Sequence, residues 1–160
     1  MILDCFSGYS QKSLEQLLKK YNTHDVPYIS VEELEQSIDK AVVLDSREYD
    51  EYNVSHISGA IPVGYNHFDI SKVTSKKLPE DTLIVVYCSL GIRSEVVARK
   101  LKRKGYTNVK NLYGGIFEWK NNNLKVEDSL NRITERVHIF SKPWGKWLKE
   151  GEKYTPYSKK

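Results

Sequence analysis

Apolar residues along this chain fall into short β-branched blocks that alternate with longer stretches of helical period, with turn residues between them. The strongest block, Thr82-Leu83-Ile84-Val85-Val86-Tyr87, is unbroken and predicts a central strand covered on both faces. It runs straight into Cys88. Ala41-Val42-Val43-Leu44, ending in Asp45, predicts a second buried strand, and Val26-Pro27-Tyr28-Ile29 an edge strand, where proline is tolerated. Gly59 and Pro62 bracket a very short strand, and Val109 begins another.

The helical pieces lie between these blocks. Leu14, Leu17 and Leu18 put an apolar stripe on Ser13 to Tyr21, ended by Asn22. Ser30 with Glu33 three residues on is a capping-box signature for a helix through Ile38. Arg47 to Tyr52 predicts a helical turn. Glu95 to Lys104, with Val96, Val97 and Leu101 inward, closes at Gly105 as a left-handed cap. After the turn Tyr113-Gly114-Gly115, a helix from Ile116 to Lys120 stops in Asn121-Asn122-Asn123. Strands and helices alternate without an internal repeat, which predicts an α/β domain with a mainly parallel sheet and helices on both faces.

The pattern changes after Leu124. Two short strands are expected between Val126 and Phe140, around Ser129-Leu130-Asn131, then Trp144-Gly145-Lys146-Trp147-Leu148 after Pro143, and a frayed end from Tyr154 to Lys160. The expected organisation is a helical lead-in over 1–23, the main domain over 24–123 and an extension over 124–160 packed on it. Trp144, Trp147, Tyr154 and Tyr157 are expected to cover the core, with an exposed aromatic patch for a partner as the alternative.

The 160 residues, 39% hydrophobic and 29% charged, suit one globular domain. No apolar run reaches the roughly 18 to 20 residues of a membrane helix, so no membrane partner is expected. Met1-Ile2-Leu3-Asp4-Cys5 has an acid where a secretory signal wants positive charge, which predicts a cytoplasmic location. The Asn53-Val54-Ser55 sequon then carries no weight. The net charge of +4 is confined to the end of the chain: residues 1–120 hold 16 Lys and Arg against 16 Asp and Glu, residues 121–160 hold 9 against 5. The run Arg99-Lys100-Leu101-Lys102-Arg103-Lys104 ends a helix, where cations meet the negative end of its dipole, and no aromatics are interleaved. A nucleic-acid partner is not expected.

Two cysteines, Cys5 and Cys88, are too few for a disulfide framework or a zinc site. The four histidines, His24, His56, His67 and His138, share no metal-ligand spacing, so no metal or organic cofactor is expected. His67 could approach a site mouth from the Gly64 to Asp69 loop, although an ordinary surface position suits it better.

Cys88 stands where open α/β sheets bind ligands, at the carboxyl end of a strand that feeds a helix. Cys88-Ser89-Leu90-Gly91-Ile92-Arg93-Ser94 is too short and too poor in glycine for a Walker-type loop, but can curl its amides inward as an anion cradle. Amide dipoles and the Arg93 guanidinium would stabilise thiolate over thiol, and the thiolate is the nucleophile. Gly91 would let the backbone bend, and Arg93 could bind an anionic substrate through paired hydrogen bonds. The plain alternative is a buried cysteine that merely ends a strand.

Asp45-Ser46-Arg47, His56-Ile57-Ser58-Gly59-Ala60-Ile61-Pro62, Cys88 to Arg93 and Tyr113-Gly114-Gly115-Ile116-Phe117-Glu118-Trp119, in that order, resemble a single-domain rhodanese, a sulfurtransferase, from about Val26 to Asn123. The resemblance implies a five-stranded parallel sheet and a cysteine that takes up sulfane sulfur as a persulfide. On this chain it implies Cys88 as nucleophile and Ser89, Leu90, Gly91, Ile92 and Arg93 as the substrate cradle. Asp45, Arg47, His56 and Gly59 match positions that brace the fold near the site. The partners implied are a sulfur donor such as thiosulfate and a thiol or cyanide acceptor, or a protein acceptor.

Related phosphatases separate cysteine and arginine by five residues, whereas four intervene here, Ser89 to Ile92. The smaller ring suits a single persulfide sulfur better than phosphate and ranks phosphatase or arsenate reductase activity low. Ser89 and Leu90 stand where some thiosulfate-preferring members carry cations, which leaves room for glutathione persulfide, polysulfide or a protein persulfide as donor. A partner-docking or sulfur-relay module with incidental turnover is the other reading. Cys5 as a resolving thiol is a minor expectation.

Overall fold

The computed structural model describes residues 5–156, with side chains from Ser13 onward. The expectation for Cys5 concerns a side chain outside the described residues, and Tyr157 lies outside them altogether.

Five parallel strands form the central sheet: β1 (Tyr28–Ile29), β2 (Val42–Asp45), β3 (Ile61–Pro62), β4 (Ile84–Tyr87) and β5 (Val109–Leu112), in the spatial order β1-β5-β4-β2-β3. The block read as the central strand is central, and the Pro27 segment is an edge. The helices are α1 (Cys5–Tyr21), α2 (Val31–Ser37), α3 (Tyr49–Val54), α4 (Ser71–Thr74), α5 (Arg93–Arg103) and α6 (Gly115–Asn121). Ser30 and Glu33 close the expected capping box, each side chain accepting from the other's backbone amide at 3.1 and 2.8 Å.

Strand pleating divides the core in two. Ile84 and Val86 face one side with Val97, Ala98 and Leu101 of α5, while Val85 and Tyr87 face the other with Leu18, Leu34, Ile116 and Phe117. Every residue of β4 is fully buried, which is why this block carries no polar alternation.

Beyond α6 the chain forms β6 (Val126–Glu127), antiparallel to β7 (Ile133–Thr134), and β8 (Arg136–His138), parallel to β9 (Glu152–Tyr154). Val126, Val137, Ile139 and Leu148 sink into the core on the Tyr87 side. Trp144 and Trp147, in a 3-10 turn, pack half-buried against the same cluster. Tyr154 is not frayed, as its position near the chain end suggested: β8 offers a free edge, and Tyr154 pairs with His138 across it.

The ends of β2 and β4 are locked by a buried ion pair. Arg47 donates to both carboxylate oxygens of Asp45, at 2.6 to 3.2 Å, and to the Ser55 carbonyl at 2.6 Å. Tyr87 donates its hydroxyl to Asp45 at 2.7 Å and accepts the Ile57 amide at 3.1 Å. Both charged side chains are 0% exposed, so removing one partner strands the other in a medium that cannot solvate it. Asp45→Ala is expected to lose about 3 to 5 kcal/mol of unfolding free energy, measured from the urea midpoint at unchanged slope. A loss within about 1 kcal/mol would show that the pair contributes no more than an exposed one.

Candidate active site

Cys88 follows the last residue of β4, and its position is set from both ends of the loop. The Tyr87 carbonyl accepts the Ser46 amide at 2.9 Å and the Ser46 hydroxyl at 2.8 Å. The Cys88 and Ser89 carbonyls accept the amides of Ile116 and Phe117, at 2.9 and 3.2 Å, from the first turn of α6. The Gly91 carbonyl accepts from the side-chain amides of Asn22 and Asn111, at 2.9 and 2.8 Å. With these carbonyls held outward, the loop turns the Gly91 N–H onto Cys88 Sγ at 3.1 Å. Gly91 reaches this shape at φ 109°, a region that residues with a Cβ rarely enter.

Gly114, just before α6, and Gly115, its first residue, bring that helix close enough to hold the loop. Gly115 has φ 57°, and a Cβ there would lie 2.3 Å from the Cys88 carbonyl oxygen. No side chain fits that gap.

Ser94, in the first turn of α5, places its hydroxyl 3.5 Å from Sγ and 2.7 Å from Asn111 Oδ1. One hydroxyl proton cannot serve both, and the shorter contact wins while the sulfur is neutral. A charged sulfur is a stronger acceptor and competes for it. Arg93 sends both arms of its fork to the Glu51 carboxylate, each at 2.7 Å, and a third bond to Ser89 Oγ at 3.1 Å. Its guanidinium lies 4.6 Å from the centre of the Phe140 ring. The cation expected to grip substrate is therefore already bidentate to a buried carboxylate, because α3 brings Glu51 beneath the start of α5.

Burial is the largest influence on the Cys88 thiol and pushes its pKa up. The Arg93 charge, the Ser94 hydroxyl and amide and the Gly91 amide act the other way and together hold it below the ordinary thiol value. The residue is 2% exposed and lines a partly open cavity of about 130 Å³. Cys88, Ser89, Leu90, Ile92, Arg93, Phe140 and Trp144 line that cavity.

The other residues singled out in the sequence stand apart from the cavity. Asp45 and Arg47 form the buried pair already described. His56 stacks on Tyr52 with ring centres 3.8 Å apart and exchanges two backbone hydrogen bonds with Glu127. Gly59 turns the chain at φ 74°. His67 is exposed and does not line the cavity. Sequence reasoning missed Glu51, Asn22, Asn111, Ser94, Phe140 and Trp144. Of these only Ser94 had a local signal, as a hydroxyl in the first turn of the helix that starts at the thiol loop.

A family model for the rhodanese-like domain matches residues 30–122. The chain belongs to that family, a family of sulfur-transfer proteins. It is 35% identical over 81 residues to the thiosulfate sulfurtransferase GlpE of Coxiella burnetii, covering 49% of this chain and 71% of that one. It is 33% identical over 103 residues to YrkF of Bacillus subtilis, named as a candidate sulfur carrier protein, covering 61% of this chain and 53% of the relative. It thus spans about half of that relative's length. Among solved structures, a rhodanese-related protein of Thermoplasma volcanium superposes with a TM-score of 0.53 at 27% identity, over 62% of this chain and 96% of that one.

Two outcomes follow from the electrostatics. Because thiolate is the reactive form, the pH midpoint of Cys88 alkylation by iodoacetamide should fall below the ordinary thiol value of about 8.5, and Arg93→Ala should raise it. A midpoint unchanged by that substitution would remove Arg93 from the balance. Glu51 is pushed up by burial, but its bonds to Arg93 prevail and hold its pKa below the ordinary carboxylate value. Its depressed folded value makes its contribution to stability complete above the unfolded value of about 4.3 and lost as pH falls through the folded one. Glu51→Gln should therefore flatten the acid limb of the stability profile, followed by urea midpoints across that range.

Proposed function

We propose that this protein is a sulfurtransferase that carries sulfane sulfur on Cys88 as a persulfide. The observation that carries the reading is the Cys88 sulfur, held by the Gly91 amide at 3.1 Å in a residue that lines a partly open cavity and with its acidity raised by Arg93 and Ser94. The name borne by GlpE of Coxiella burnetii supports it.

In the first step the Cys88 thiolate attacks the outer sulfur of the donor. A new S–S bond forms, the bond from that sulfur to the rest of the donor breaks, and the leaving group departs with the electron pair, as sulfite when the donor is thiosulfate. In the second step an acceptor thiolate or cyanide attacks the outer persulfide sulfur, and the Cys88 thiolate leaves and is restored. No general base is required where the thiolate already exists. The terminal persulfide charge extends from the seat of the thiolate, where the loop amides and the start of α5 offer partial positive charge. Ser89, Leu90, Gly91, Ile92 and Arg93 form the cradle in this reading, and Asp45, Arg47 and His56 brace it. Phosphoryl transfer fits less well, since a phosphate would need a free cation and Arg93 is paired with Glu51. A cycle that regenerates a thiolate fits a reducing compartment, and we place the protein in the cytoplasm.

Incubation with a sulfane-sulfur donor should add the mass of one sulfur atom to the intact protein. Cys88→Ser should add none and form no thiocyanate from cyanide. Thiocyanate formation by Cys88→Ser at the parent rate would reject the assignment.

A further inference from the structure

We propose that Phe140 and Trp144 are specificity-determining residues of this site, and that its preferred donor is a singly charged organic sulfane-sulfur compound with an aromatic or compact apolar substituent. The inference rests on the reading of Cys88 as a persulfide-forming nucleophile and names the substrate class of that site.

Charge comes first. Arg93 is the only cation lining the cavity among the described residues, and both arms of its fork are on Glu51. The pair cancels formally, so a thiolate at Cys88 leaves the site with one net negative charge, met by the Ser94 hydroxyl, the amide dipoles and the start of α5. A dianion such as thiosulfate would enter against that charge and lose water without a free guanidinium to replace it. A monoanion carries half the charge and meets half the repulsion.

Shape and lining point the same way. The wall opposite the thiol loop is aromatic: Phe140 and Trp144 meet edge to face, with ring centres 5.9 Å apart at 83°, and Leu90 and Ile92 add aliphatic surface. The cavity, about 130 Å³, is close to the roughly 150 Å³ in which an apolar protein cavity accepts benzene. Phe140 is held there under constraint. It stands at φ 64°, an outlier for a bulky side chain, and its amide donates to His138 Nδ1 at 3.0 Å. The residue is nevertheless 50% exposed. A strained backbone that presents an aromatic ring to a nucleophile's cavity instead of to the core fits a binding role.

Two donors isolate the substituent. Thiosulfate and benzenethiosulfonate both surrender their outer sulfur to a thiolate, releasing sulfite and benzenesulfinate respectively, but one negatively charged oxygen of the first is a phenyl ring in the second. Second-order rates of persulfide formation on the full chain are read by quenched intact mass, and their ratio is divided by the same ratio for free cysteine. The corrected preference for the aryl donor should be about tenfold or more, the scale of apolar pocket discrimination. Phe140→Ala and Trp144→Ala should each lower it severalfold, and Phe140→Tyr should retain it. Glu51→Gln, which frees the Arg93 fork, should shift the ratio toward thiosulfate. A corrected ratio near one, or one that Phe140→Ala and Trp144→Ala leave unmoved, overturns the inference while Cys88 still forms a persulfide. No persulfide with either donor overturns the reading of Cys88 itself.

Discussion

A thiol seated at 2% exposure gains acidity only if the protein supplies what water would have supplied to its anion, and the loop after β4 is organised around that demand. Desolvation opposes the thiolate, whereas one guanidinium, one hydroxyl and the loop amides favour it. None of these is strong alone. They act together because the loop cannot relax: its carbonyls are held on the outside by α6, Asn22 and Asn111. Turning an amide away from the sulfur would require breaking those bonds in a buried setting.

The two ion pairs near the site do different work. Asp45–Arg47 is wholly buried and joins the ends of β2 and β4 with the approach to β3, so it sets where β4 stops and the thiol loop begins. Glu51–Arg93 lies at the cavity, with Arg93 15% exposed. It fixes the guanidinium where it can act on Cys88 while cancelling its charge toward an incoming ligand. Glu51 also accepts the Glu48 amide at 3.0 Å, capping α3 with the same carboxylate. Helix start, cation position and cavity charge thus meet in one side chain.

What the sequence disclosed follows from what is local. The apolar run into Cys88, the bend at Gly91, the helix onset after the loop, expected at Glu95 and found at Arg93, and the double glycine at the start of α6 lie within short windows, where backbone rules apply directly. The Ser30 capping box is equally local, and all these features appear in the structure. Glu51, Asn111 and Asn22 reach the loop from 42, 20 and 69 residues away along the chain. Polar side chains on a short helix, a strand and a helix end carry no mark of what they will meet. Arg93 was legible as a cation but not as a paired one, since pairing is a property of the folded chain. Tyr154 was misread because β9 exists only where β8 offers it an edge.

The cavity's two walls have separate origins, and this separation bears on how the family's chemistry can be steered. The thiol loop and, apart from Asn22, the braces around it lie within residues 30–122, the span shared with other rhodanese-like domains. Phe140 and Trp144 come from outside that span, carried by a segment anchored through Val137, Ile139 and Leu148 in the core. Such anchoring supplies an aromatic wall without taking any residue from the thiol loop. The groups that act on the Cys88 thiol lie in its own loop and the start of α5, whereas the aromatic lining of the cavity comes from elsewhere in the chain. The Arg93–Phe140 contact at 4.6 Å is where the two walls touch. A change there reaches both, since the ring covers one face of the guanidinium whose edge is held by Glu51.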